Sequence, residues 1–254
     1  MNKYSSFDYL SDMPFYIDGI GYIKCPTLRD IRTATYNDFS TYLNFTKINY
    51  KDFLKSCGAL EQYNELNDEG KENNSLYNLL LIQQPHFLYN MISFFICGNV
   101  DFNETTLSFE VSMVDDNREK IIVGSINNKN FEEFRLQTRY ILGIEDKEEQ
   151  KPVFKNNLAK KMFEKLKKHN EEKKKENDEN FTLDNMILKY CTNNKVGINI
   201  LNVWDITYYQ FTKLFSEYIN ARQCDIADMM AANTFSYKTA SDYKPMEYMK
   251  KVNH

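Results

Sequence analysis

The chain has 254 residues, of which 42% are hydrophobic and 27% charged, with 18 Phe, 18 Tyr and one Trp adding bulk to the apolar fraction. That supply supports a packed core, and only 8 Gly and 5 Pro argue against collagen, long flexible linkers or a turn-dense sandwich. The net charge of −4, from 32 basic and 36 acidic residues, argues against a nucleic-acid binder, which needs a basic face for phosphates.

In chain order, Phe15–Ile17 and Ile20–Cys25 are short β-prone runs around Asp18-Gly19, a pair that favours a tight hairpin turn. Pro26 stops the pairing and Thr27 caps a helix that continues, with a break near Thr33–Thr35, to about Ile48. A second helical stretch is expected from Tyr50 to Leu66, weakened by Gly58, followed by a polar loop over 67–74. Ser75 to Cys97 reads as two buried helices with Pro85 opening the second. The partial alternation of residues 106–126 predicts a second hairpin, turning at Asp115-Asp116-Asn117. Asn127–Asn130 then offer caps for a helix carrying Phe131, Phe134, Ile141 and Leu142, which ends at Gly143.

Composition shifts at Glu145. Between there and Asn180 stand eleven lysines and ten acidic residues, with one narrow apolar stripe of Phe154, Leu158, Met162 and Leu166. This is a solvated helix or linker, and the boundary divides the chain into an α+β part (1–145), a charged connection (146–180) and a helical part (181–254). The helical part is expected to hold helices at Leu183–Tyr190, Tyr208–Ile219 and Cys224–Ala232, then an aromatic but polar tail. The expected fold class is therefore α+β and mostly helical, with small β-hairpins confined to the N-terminal part.

Reaction chemistry is not legible. His86, His169 and His254 share no metal-ligand spacing, no phosphate loop follows GIG at 19–21, and no G-x-S-x-G is present. Asp115-Asp116 and Glu132-Glu133 are adjacent pairs that point apart. Five scattered cysteines without CxxC read as reduced thiols. The longest apolar run, Phe87–Cys97, is too short for a membrane span, and the N-terminus lacks a signal-peptide pattern. The reading is of a cytoplasmic non-enzyme without metal or organic cofactor, and without nucleic-acid or membrane partners.

The segment WDITYYQFTKLFSEY stands apart. Trp204, Tyr208, Phe211 and Phe215 fall at roughly helical spacing, after Asp205 or Thr207 as N-cap, and this face either completes a core or anchors a partner. The run VWDITYYQFTKLFSEY resembles the W-x-[LIM]-T-x-x-[QE]-[FL] signature near the C-terminus of tail-assembly-chaperone-like proteins of phages and prophages of Gram-positive bacteria. The opening hairpin followed by TLRDIRTATYNDFSTYLN is similar in style. That resemblance implies a non-catalytic chaperone acting in the host bacterial cytoplasm. Its partners would be the tape-measure and tail-tube proteins during tail morphogenesis, with room for a homo-oligomer. It carries over Trp204, Thr207, Gln210 and Phe211 as protein-binding residues. A structural tail or baseplate component of the virion is the alternative from the same gene cluster.

Overall fold

A computed structural model of the chain describes residues 4–48, 50–56, 58–115, 117–144 and 181–232. The protein is α+β and mostly helical, with every described strand in the N-terminal part. It divides into two units, residues 1–145 with 205–210, and residues 146–204 with 211–254. The charged connection and the aromatic tail expected from the sequence lie outside the described residues.

The first unit opens with strands β1 (Phe15–Ile17) and β2 (Gly21–Ile23), paired antiparallel with Phe15 opposite Ile23. Asp18-Gly19 makes the turn, and Gly19 takes the φ of +74° that such a tight reversal requires. Beyond β2 the chain pairs with a later segment: Lys24 N donates to Phe95 O (2.8 Å), and Cys97 N donates to Tyr22 O (2.8 Å). Helix α1 (Leu28–Ala34) begins at Thr27 with a reciprocal capping box. The Thr27 hydroxyl accepts from Asp30 N, and the Asp30 carboxylate accepts from Thr27 N, both at 3.0 Å.

Thr35 separates α1 from α2 (Tyr36–Lys47) and caps Asp38 N at 3.2 Å. Its φ of 83° and ψ of 146° belong to a region that only glycine occupies without strain. Thr35→Gly relieves about 1–3 kcal/mol of backbone strain and gives up a few tenths for the cap. A net gain of roughly 1 kcal/mol is expected, read as a melting temperature several degrees higher.

Gly58, at φ +69°, divides the helical stretch after residue 50 into α3 (Tyr50–Ser56) and α4 (Leu60–Glu65). Residues 67–74 depart from the expected loop. Asn67 caps Gly70 N at 2.7 Å, Asp68 and Glu69 occupy the first turn, and α5 (Asp68–Asn73) forms. Helices α6 (Leu76–Gln83) and α7 (Pro85–Phe95) follow as the sequence predicts, with Pro85 in the first turn.

The hairpin expected within 106–126 is part of a three-stranded antiparallel sheet ordered β3-β4-β5, from β3 (Asn99–Asn103), β4 (Ser108–Val114) and β5 (Lys120–Ile126). Strand β3 escapes sequence reading because NVDFN is short and rich in Asn and Asp, which are depleted in strands. The first hairpin's turn lies directly on β5: Ser125 N donates to Gly19 O (3.0 Å), and any Cβ at Gly124 would run into the Ile20 backbone. Phe109, Val111 and Ile126 of the sheet, Leu88, Met91, Ile92 and Phe95 of α7, and Phe131 and Phe134 of α8 (Phe131–Ile141) form the buried interior. Tyr77 crosses it, with its hydroxyl shared between the carbonyls of Leu107 (2.9 Å) and Ile126 (3.3 Å). Burial of that phenol pushes its pKa well up.

Arg135 also lies on the inner face of α8, 4% exposed. Its guanidinium grips both carboxylate oxygens of Glu132 (2.8 Å each) and donates to the carbonyls of Phe45, Thr46 and Ile48. Those carbonyls are the ones a helix leaves without intrahelical partners at its C-terminus, so α8 caps α2 with a cation.

The second unit contains α9 (Leu183–Asn193) and α10 (Tyr208–Ala232), whose opening turn belongs to the first unit. The two helices expected at Tyr208–Ile219 and Cys224–Ala232 are one continuous element, because Asn220 to Gln223 contains no glycine or proline to interrupt it. Phe211 is wholly buried, with its ring 6.0 Å from Tyr190 and 6.1 Å from Phe215. Asparagines build the loop between the helices. The Asn194 amide oxygen accepts from Val196 N and Ile198 N, while its nitrogen donates to Tyr190 O and Ile198 O. Asn199 and Asn202 bind Leu201 N, Asn199 N and Gly197 O in the same way.

Candidate protein-contact site

The segment carrying the resemblance starts at a 3-10 turn, Val203–Asp205, in which the Trp204 indole N–H donates to Ile200 O at 2.8 Å. Thr207 then opens α10 with a second capping box. Its hydroxyl accepts from Gln210 N (3.2 Å), and the Gln210 side-chain oxygen accepts from Thr207 N (2.9 Å). The T-x-x-Q spacing of the signature is thus the spacing of a helix start. The Gln210 amide nitrogen donates to Leu10 O at 2.8 Å.

This box repeats the one at Thr27, and the two are joined. Thr27 and Thr207 form an antiparallel bridge in which Leu28 N donates to Ile206 O (3.0 Å) and Tyr208 N donates to Pro26 O (2.8 Å). Two helix starts therefore share one two-residue stretch of β-pairing. Arg29 closes it on the outside, its guanidinium on Asp205 at 2.6 and 3.0 Å, while Tyr208 packs its ring 5.1 Å from Phe39. Tyr209 lies 5.7 Å from Tyr9 and so near Gly143 that a Cβ there would reach within 2.9 Å of its ring.

Cys25 sits beneath the bridge, facing Thr207 and the backbone of Tyr208 and Tyr209. Burial pushes its thiol up to about 11 from an ordinary 9.0, against the smaller opposing effect of those hydrogen bonds. Burial likewise raises the Tyr208 phenol to about 12. A thiol with a raised folded pKa gives stability that is complete below pH 9 and lost as pH rises through 11, because the unfolded chain releases its proton first. About 2–3 kcal/mol is expected to disappear across that window. Urea titrations at pH 8 and pH 11 on the protein and on Cys25→Ala check this, and the difference between the two pH values should shrink in the variant.

The four residues carried over from the signature thus stand in different places. Thr207 (1% exposed) and Phe211 (0%) are buried, Gln210 is engaged at both ends of its amide, and Trp204 is half-buried. The aromatic face expected of this stretch is narrower than four residues, since Trp204 precedes the helix and Phe211 and Phe215 make the stacked pair.

More accessible apolar surface lies within the second unit itself. A groove of about 640 Å³ runs beside α10, with Tyr190, Val196, Leu214, Tyr218, Ile226 and Met229 on its apolar side. Lys195, Glu217, Arg222 and Asp225 supply its charged side chains. Ile226 is 46% and Met229 65% exposed.

Among the described residues no group of three His, Cys, Asp or Glu side chains could hold a metal ion, and no helix is long and apolar enough to cross a membrane. His86 is exposed on α7, while His169 and His254 lie outside the described residues. The adjacent carboxylates serve separate partners. Glu132 binds Arg135, Glu133 accepts from Gln137 (2.5 Å), and Asp115 accepts from Asn117 N and Glu119 N.

Residues 172–253 match a family model described as the YomV second domain. No curated protein matches the chain, and neither does any solved structure.

Proposed function

We propose that the protein is a non-catalytic phage tail assembly chaperone that holds the tape-measure protein and meets tail-tube subunits during morphogenesis. The observation that carries this reading is a coincidence of two signals on one stretch of chain. The W-x-x-T-x-x-Q segment resembles tail assembly chaperones, and the family matched over 172–253 bears the name of a Bacillus prophage protein, consistent with a phage origin. In this reading Trp204, Thr207, Gln210 and Phe211 set the start and packing of α10, and the groove beside that helix receives an amphipathic helix of the partner. Helix-in-groove recognition needs apolar and charged side chains lining one groove, and Ile226, Met229, Glu217 and Arg222 line this one.

Two measurements test it. Titration of purified tape-measure protein should show binding that Ile226→Glu with Met229→Glu abolishes while leaving the melting temperature within a few degrees, since both side chains are already exposed. Mass spectrometry of finished particles should find the protein absent. A constant copy number in particles would replace this reading with the structural tail or baseplate role, and absence of binding in the unsubstituted protein would remove it.

A further inference from the structure

The first unit does not end where its continuous run of sequence ends. Residues 146–204 belong to the second unit, and the chain returns to the first only through Asp205–Gln210. What receives that return is a built surface. Pro26 and Leu28 offer one carbonyl and one N–H to it, Leu10 offers a carbonyl to the Gln210 amide, Arg29 meets Asp205, and the rings of Tyr9 and Phe39 receive Tyr209 and Tyr208. Ile206 O, Tyr208 N, the Asp205 carboxylate and the Gln210 amide nitrogen each find a partner on that surface. Thr207 and Tyr209 are also buried, at 1% and 4% exposed, which a casual surface contact would not achieve.

We infer that the first unit carries a docking site for a short peptide of the sequence D-I-T-Y-Y-Q, filled by the chain's own Asp205–Gln210. The site reads its ligand by backbone pairing at Thr207, by the carboxylate at Asp205, and by two aromatic side chains in succession. This is strand addition reduced to a single bridge and locked by a helix start on each side. The inference is independent of the phage reading, because it concerns how the chain closes on itself.

The test uses the full chain with a protease recognition sequence inserted after Lys160. After cleavage, residues 1–160 and 161–254 should co-elute on native size exclusion and separate only on dilution or in denaturant. Arg29→Ala combined with Gln210→Ala removes the ion pair, half of the capping box and the Leu10 bond. The fragment dissociation constant should then rise at least about tenfold. Circular dichroism of the uncleaved variant establishes that it is folded, and Thr207→Ala serves in its place if it is not. Separation of the unsubstituted fragments at micromolar concentration would overturn the proposal. So would retention that these substitutions leave unchanged, since other surfaces would then hold the halves together.

Discussion

Arg135→Met should lower folding stability by about 3 kcal/mol or more, because it strips the C-terminus of α2 of its cap. The substitution keeps the apolar stem but takes the buried guanidinium away from the part-buried carbonyls of Phe45 and Ile48, each such loss costing about 1–3 kcal/mol. Glu132→Gln should cost under about 1 kcal/mol, since that carboxylate side chain is 66% exposed. Arg135→Lys should fall between them, because an ammonium replaces the charge without the planar fork that reaches several carbonyls together. Chemical denaturation of the three variants checks the order, and equal losses for Arg135→Met and Glu132→Gln would mean that the ion pair, rather than the cap, carries the effect.

Phe211→Ala should cost about 3–5 kcal/mol in the stability of the second unit, the range for truncating a wholly buried ring between others. Chemical denaturation followed by circular dichroism reads the loss. A folded variant with an unchanged melting temperature would show that the ring is available to a partner instead. Should Phe211→Ala abolish tape-measure binding while preserving stability, the signature would mark a contact rather than a core.

The helices that the sequence places correctly are those whose limits are written locally. Thr27, Pro85 and Gly143 each act within a turn of themselves, and the structure uses them at the expected positions. What local pattern misses is decided by distant or hidden partners. Arg135 lies on the apolar stripe of α8 at a position where a charge looks like an interruption. Its justification is the end of α2, ninety residues earlier, and no spacing within α8 points there. The asparagines of 194–202, easily dismissed in a chain so rich in that residue, supply most of the side-chain bonds that shape that loop. The T-x-x-Q spacing at Thr207 could have been recognised as a capping box from the sequence, since T-x-x-D at Thr27 states the same rule. Their bridge to one another could not, because it joins residues 180 positions apart.

That separation bears on how the protein is made. The body of the first unit leaves the ribosome with its docking site empty, and Asp205–Gln210 follows only after the intervening residues have been translated. At about 5–20 residues per second the wait is roughly 3–13 s, long compared with the roughly 0.1–10 μs in which helices and hairpins form. During that interval Cys25, Tyr9 and Phe39 lack the cover that Thr207, Tyr209 and Tyr208 later provide. The rate at which ribosomes cross residues 146–204 therefore sets how long those side chains wait for their cover.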